Sequence, residues 1–302
     1  MKNIKRKKEQ EMDTDRLYQW QMVETNKEFH LEESSFPELK NGEVLVKIAG
    51  CGVCHTDLSF WHSEVQTKHA LPLTLGHEIS GIIVAGNKNW INKKVIIPAV
   101  LPCGECELCK KGRSNICRNQ LMPGNDFHGG FASHIKVPSK FLCQVSENIL
   151  KKYSLEQLAV IADAISTPYQ VVEKSELEAG DLAIVIGVGG VGLYGALIAK
   201  IFGAKVIALD ISEEKLNIAL NNGVDAILNI KGMETKAIKE KVKEIVKDIK
   251  APKIGWKIFE ISGTKAGQDL GFNLITFTST LSIVGFTMDK VEVRLSNLMA
   301  FD

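Results

Sequence analysis

The stretch Asp181-Leu-Ala-Ile-Val-Ile186-Gly187-Val-Gly189-Gly190-Val-Gly192-Leu-Tyr-Gly-Ala-Leu-Ile-Ala-Lys200 decides how this chain folds. Five apolar residues run without a polar break into G-x-G-x-x-G, and a helical pattern follows. Strand, glycines, then helix is the context that a dinucleotide fingerprint requires. Gly187, Gly189, Gly190 and Gly192 allow a tight turn, close approach of a pyrophosphate and close helix packing, with unpaired helix N–H groups facing the phosphates. The next β-type run, Lys205-Val-Ile-Ala-Leu209, stops at Asp210, eighteen residues after Gly192. A carboxylate there accepts from the adenosine ribose hydroxyls and repels a 2′-phosphate, so NAD is expected over NADP.

Strands and helices alternate around that core. Strands are expected near 182–186, 205–209, 225–229, 256–261 and 280–286, with helices over 212–221 and 234–250. In the second helix Ile238, Val242, Ile245, Val246 and Ile249 share one face and lysines the other. The lysine face reads as solvated surface, with a grip on CoA phosphates as the sharper alternative. The N-terminal half reads as β-rich, with strands over 44–48, 79–84, 94–97 and 131–137 separated by turn residues. The expectation is an α/β chain with a β-rich first domain over 20–166 and a parallel-sheet domain over 167–302.

The β-rich half carries Cys103-Gly-Glu-Cys106-Glu-Leu-Cys109-Lys-Lys-Gly-Arg-Ser-Asn-Ile-Cys117, four of the chain's seven cysteines. Tetrahedral zinc takes four thiolates at about 2.3 Å, and C-x2-C-x2-C-x7-C on a short loop can wrap one ion. Two disulfides would also satisfy this spacing, but a chain of this size does not need them. A closed four-thiolate site is structural. A second set lies in Cys54-His55-Thr56-Asp57, Gly76-His77-Glu78 and Asp163. Cys54, His77 and Asp163 would give three ligands with an open fourth position, the pattern of a catalytic zinc. Taken singly, the three also read as an inert cysteine, a loop histidine and a helix-capping aspartate. Cys51 makes a C-x-x-C with Cys54, although no thioredoxin-like βαβ context accompanies it. Cys143 reads as packing.

Together these motifs resemble the zinc-dependent medium-chain alcohol dehydrogenase family, from about Trp20 to the last residue. The resemblance implies a GroES-like catalytic domain and a Rossmann doubly wound parallel sheet. It implies two zinc ions per chain, one catalytic and one structural, NAD, and hydride transfer from a CH–OH group. It makes Cys54 and His77 zinc ligands, Thr56 the hydroxyl that passes the alcohol proton outward, Glu78 a nearby carboxylate and His55 a neighbour of the cofactor pyrophosphate. Asp163 stands where many relatives have a cysteine, a harder ligand that donates less charge. Ser59 stands where some keep a relay histidine. Met122-Pro-Gly-Asn-Asp126, Gly129-Gly-Phe-Ala-Ser-His134 and Trp256-Lys-Ile-Phe-Glu260, with the run from Gly285 to Phe301, resemble the branch acting on 6-hydroxycyclohex-1-ene-1-carbonyl-CoA in anaerobic benzoyl-CoA degradation. That branch implies a secondary alcohol carried on a CoA thioester. Alternatives are another alcohol, an enoyl or quinone reduction, or a zinc- or NAD-binding fragment without turnover.

Composition agrees with a cytoplasmic enzyme. The chain is 45% hydrophobic and 24% charged with a net charge of +1, which offers no dominant basic face for nucleic acid. No apolar run approaches the ~20 residues of a membrane span, and free thiols used as ligands suit a reducing compartment. Residues 1–19 read as a basic tail, with Met12 as an alternative start. The resemblance further implies a homo-oligomer and a sixth sheet strand beyond residue 302. On that ground the 302 residues alone are expected to be poorly soluble or inactive.

Overall fold

The computed structural model describes residues 16–301. They form two compact units that divide between Asp163 and Ala164, three residues before the expected boundary. Most of the expected basic tail, and Met12, lie outside the described residues. Leu17 to Gln19 do not continue it, because they already belong to the first strand.

The first unit is antiparallel. Its elements are β1 (Leu17–Met22), β2 (His30–Ser34), β3 (Glu43–Gly52), α1 (His55–Trp61), β4 (Leu73–Thr74), β5 (Glu78–Ala85), β6 (Lys94–Ile97), α2 (Glu107–Lys110), β7 (His134–Pro138), β8 (Cys143–Gln144) and α3 (Glu147–Leu150). A 3₁₀ helix, Glu156–Ala162, closes it. One sheet runs β2-β1-β4 and a larger one β7-β3-β5-β6-β8. Val44 and Val46 of β3 and Val95 and Ile97 of β6 lie two apart, Ile79 and Ile83 of β5 lie four apart, and all turn into one core, as a strand's period of two dictates. The opposite face of β6 places Ile96 against Leu155, Leu158 and Ala162 of the 3₁₀ segment. Ser80 Oγ donates to the Leu155 carbonyl at 2.6 Å. These contacts fix where residue 163 emerges.

The second unit holds α4 (Ser166–Lys174), β9 (Leu182–Ile186), α5 (Gly190–Ile201), β10 (Lys205–Asp210), α6 (Glu213–Asn221), β11 (Ala226–Asn229), α7 (Thr235–Asp248), β12 (Lys257–Glu260), α8 (Lys265–Asn273), β13 (Thr280–Ile283) and α9 (Ser296–Phe301). Its sheet is parallel, in the order β11-β10-β9-β12-β13. All of β9 is buried, as a strand covered on both faces must be. Ala183 and Val185 pack with Ala196 and Ala199 of α5. Leu182, Ile184 and Ile186 pack with Ile238, Val242 and Val246 of α7 on the other face. The apolar run of β9 therefore serves two cores, and α7 presents its expected apolar stripe.

The glycine turn follows from sterics. Gly187 has φ +85°, a region costly for residues with a Cβ. A Cβ on Gly187 would lie 2.6 Å from Ser262 Cα, and one on Gly192 would overlap the Gly187 carbonyl oxygen. The turn and α5 thus close on each other only because both positions are glycine. One expectation fails in packing terms: Cys143 is exposed on the short edge strand β8, not buried.

Candidate functional site

Three separate segments of the first unit converge. Cys54 precedes α1, His77 lies between β4 and β5, and Asp163 follows the 3₁₀ helix. The Cys54 sulfur is 3.6 Å from Asp163 Oδ2, and His77 Nε2 is 3.4 Å from the same oxygen. All three ligand atoms lie within 4.8 Å of one another. A tetrahedral ion with Zn–S near 2.3 Å and Zn–N or Zn–O near 2.0–2.2 Å sets S···O edges of about 3.6 Å and N···O edges of about 3.3 Å. The donor set therefore fits one zinc.

His77 is the most informative member. It is 1% exposed, and neither ring nitrogen makes a hydrogen bond of good geometry. Burial alone would push its pKa down. The Asp163 and Asp57 carboxylates beside it reverse that and hold the imidazole protonated, with a pKa up to about 12. A divalent cation at Nε2 would supply the positive charge that those carboxylates favour, and would displace the proton to do so.

Asp57, which the motifs give no role, joins two of the candidate ligand segments. It is 3% exposed. Its Oδ2 accepts from the Cys54 N–H at 2.9 Å, and its Oδ1 accepts from the Gly76 N–H at 3.0 Å. Oδ1 also lies 3.4 Å from His77 Nδ1. A carboxylate behind a ligating histidine orients the ring and raises its basicity. The available signal was position: Asp57 is the third residue of α1, where an acidic side chain reaches back to the capping residue.

The remaining expected residues divide. Thr56 Oγ1 lies 3.7 Å from Cys54 Sγ. Glu78 is 3% exposed, with its carboxylate packed on Gly52. His55 is exposed at the start of α1. Ser59 is turned away into a hydrogen bond with Glu64 at 2.9 Å. Burial raises the Cys51 thiol pKa, and its sulfur points to the Gly52 carbonyl at 3.5 Å. An un-ionised thiol is a poor nucleophile, which argues against a redox role for Cys51.

The four-cysteine lobe forms a separate cluster. The sulfur pairs Cys106–Cys109, Cys106–Cys117 and Cys103–Cys117 lie 3.5, 3.7 and 3.5 Å apart. A disulfide needs about 2.05 Å, whereas a zinc tetrahedron with 2.3 Å bonds has edges of about 3.8 Å. The seven cysteines are free. The Glu105 and Cys106 N–H groups donate to Cys103 Sγ at 3.4 Å, and they hold its thiol pKa down near 6. The Cys106 pKa is lowered too, first by the Cys109 N–H, while burial drives Cys109 up. This geometry fits a structural zinc in place of the alternative disulfides.

In the second unit the turn 187–192 opens α5. A Cβ on Gly189 or Gly190 would meet nothing within 4 Å, so a pyrophosphate has room against bare backbone. Asp210 ends β10 beside this turn. Its Oδ2 accepts from the Val188 N–H at 2.8 Å and its Oδ1 from the Ser212 N–H at 2.9 Å. The carboxylate is thereby fixed at the edge of the turn. These features fit a dinucleotide. No helix among the described residues is long and apolar enough to cross a membrane.

Comparison with known proteins agrees with both halves. Residues 40–147 match the alcohol dehydrogenase GroES-like domain family and residues 190–302 the zinc-binding dehydrogenase family. An alcohol dehydrogenase of Geobacillus stearothermophilus is 36% identical over 72% of this chain and 65% of its own length. The chain thus spans 65% of that relative. L-threonine 3-dehydrogenase of Pyrococcus furiosus is 29% identical over 93% of this chain and 79% of its own. The crystal structure of the alcohol dehydrogenase from Aeropyrum pernix superposes with a TM-score of 0.80 at 29% identity, covering 94% of this chain and 82% of its own. The chain belongs to the zinc-dependent medium-chain alcohol dehydrogenase family.

Proposed function

We propose that this protein is a zinc-dependent oxidoreductase that transfers a hydride from a secondary alcohol to NAD. The convergence of Cys54, His77 and Asp163 within 4.8 Å carries this reading, because an open three-ligand zinc site suits catalysis and not scaffolding. Bound zinc would act as a Lewis acid that makes an alcohol O–H more acidic, and NAD would accept the hydride. Cys54, His77 and Asp163 hold the ion, and Asp57 orients His77. The Thr56 hydroxyl, 3.7 Å from Cys54 Sγ, takes the substrate proton outward. Glu78 supplies negative charge behind the ligands. Gly187, Gly189, Gly190 and Gly192 admit the pyrophosphate, and Asp210 selects the ribose hydroxyls. Cys103, Cys106, Cys109 and Cys117 hold the structural ion.

The finer substrate reading is 6-hydroxycyclohex-1-ene-1-carbonyl-CoA, oxidised to the 6-oxo compound in aromatic degradation. It is supported by the resemblance of the 122–134, 256–260 and 285–301 segments. A cytoplasmic homo-oligomer is the corresponding setting. The test is NADH formation with a panel of secondary alcohols, with and without a CoA thioester. Turnover that Cys54→Ser abolishes supports the dehydrogenase. Turnover independent of Cys54 overturns it, and turnover confined to simple alcohols overturns only the thioester reading.

A further inference from the structure

Glu260 ends β12 and is fully buried, at 0% exposure. Its Oε2 makes no hydrogen bond, and burial raises its pKa. A carboxyl group kept under these conditions is costly, and Glu260 belongs neither to the candidate zinc ligands nor to the glycine motif. The polar atoms of Glu260 and of the next residue, Ile261, together meet the turns at three strand ends. Oε1 accepts from the Ser262 N–H at 2.8 Å and from Ser262 Oγ at 2.5 Å. The Glu260 carbonyl accepts from the Val284 N–H at 2.8 Å and the Gly285 N–H at 3.0 Å, just past β13. The next residue, Ile261, donates its N–H to the Ile186 carbonyl at 2.8 Å, at the end of β9.

The turn held this way is the wall behind the glycine motif. The space a Cβ on Gly187 would fill lies 2.6 Å from Ser262 Cα and 2.7 Å from Ser262 N. Gly263 backs onto Gly285 in the same manner. The turn over 261–263 therefore sets the depth at which Gly187 rests, and Gly187 sets the turn that faces a phosphate.

We propose that Glu260 is a positioning residue for the dinucleotide site, its side chain fixing the 261–263 turn against which Gly187 is seated. This rests on the dinucleotide reading above. The hydrogen bonds made by Oε1 need an acceptor and no net charge, so glutamine replaces glutamate here and alanine does not.

The test combines amide hydrogen exchange of the cofactor-free protein with NADH fluorescence titration, on the unmodified protein, Glu260→Ala and Glu260→Gln. Loss of about one well-made hydrogen bond corresponds to roughly ten-fold. In Glu260→Ala, peptides covering 186–190 and 261–264 should exchange about ten-fold faster and NADH Kd should rise about ten-fold. Glu260→Gln should stay within about three-fold of the unmodified protein in both. Unmodified exchange in Glu260→Ala, or Glu260→Gln as impaired as Glu260→Ala, would overturn the proposal. Should Glu260→Ala not fold, Ser262→Ala decides: faster exchange over 261–264 supports the proposal and unchanged exchange overturns it. Failure of the unmodified protein to bind NADH would instead overturn the dinucleotide reading, an outcome separate from the exchange result.

Discussion

Replacing Asp57 with asparagine tests how the proposed zinc ligands are held. The carboxylate accepts from the Cys54 and Gly76 backbone N–H groups, one on each oxygen, and stands beside His77 Nδ1. Asparagine keeps a single carbonyl oxygen, so one N–H retains its acceptor and the other faces an NH₂ group. A charged hydrogen bond is worth about 1.5–3 kcal/mol, and an orphaned buried donor costs about 1–3 kcal/mol. The first unit should therefore lose roughly 2–4 kcal/mol of stability. His77 also loses the carboxylate that orients its ring, which for outer partners of metal ligands costs about 10–100-fold in affinity. Chelator competition read alongside thermal unfolding separates the two effects. The expected result is weakened binding of one zinc per chain with the four-cysteine zinc unchanged. Equal zinc affinity in Asp57→Asn and the unmodified protein would refute the reasoning.

Three further outcomes are expected. Cys109→Ser should remove the structural zinc and destabilise the lobe, whereas Cys54→Ser should remove the other zinc and leave the unfolding transition largely in place; metal content and calorimetry on both variants check this. Asp210→Ala should weaken NADH binding and narrow its gap to NADPH, read by fluorescence titration. It should also loosen the turn at Val188, which donates to that carboxylate. Asp225 accepts from Lys200 Nζ and the Val206 N–H, both at 2.7 Å; burial raises its pKa, but these partners and Lys205 lower it overall. A depressed folded-state pKa gives stability that is present above the unfolded value of about 3.9 and is lost as pH falls through the folded one. Asp225→Asn should thus be less stable than the unmodified protein at neutral pH by about 2 kcal/mol. That gap should close in acid, and a gap independent of pH in denaturant titrations would contradict this.

The second unit was legible because its signals are local. The apolar run of β9, the glycines and Asp210 fall within thirty residues, and α7 carries its own stripe. The four-cysteine lobe was equally local. The three-ligand site was not, since 23 residues separate Cys54 from His77 and 86 separate His77 from Asp163. Only order along the chain and the family resemblance joined them, and spacing carried no geometric information. Strand β2, His-Leu-Glu-Glu-Ser, was missed because it is an edge strand whose one aliphatic residue, Leu31, is 52% exposed. No alternation exists there to read. Strand β1 and helix α1 were missed for a related reason: their buried residues pack into small local clusters, as Met22 and Phe60 do with Leu73 and Leu75. Cys143 misled because its residue type suggests burial, while β8 offers only two residues at the end of the sheet.

Zinc content per chain, measured on the unmodified protein and on Cys54→Ser after identical purification, tests the account most directly. Two clusters of candidate ligands are present among the described residues, so the unmodified protein should hold two zinc ions and Cys54→Ser one, with the four-cysteine ion retained. One zinc in the unmodified protein, or two in Cys54→Ser, would contradict a zinc site built from Cys54, His77 and Asp163.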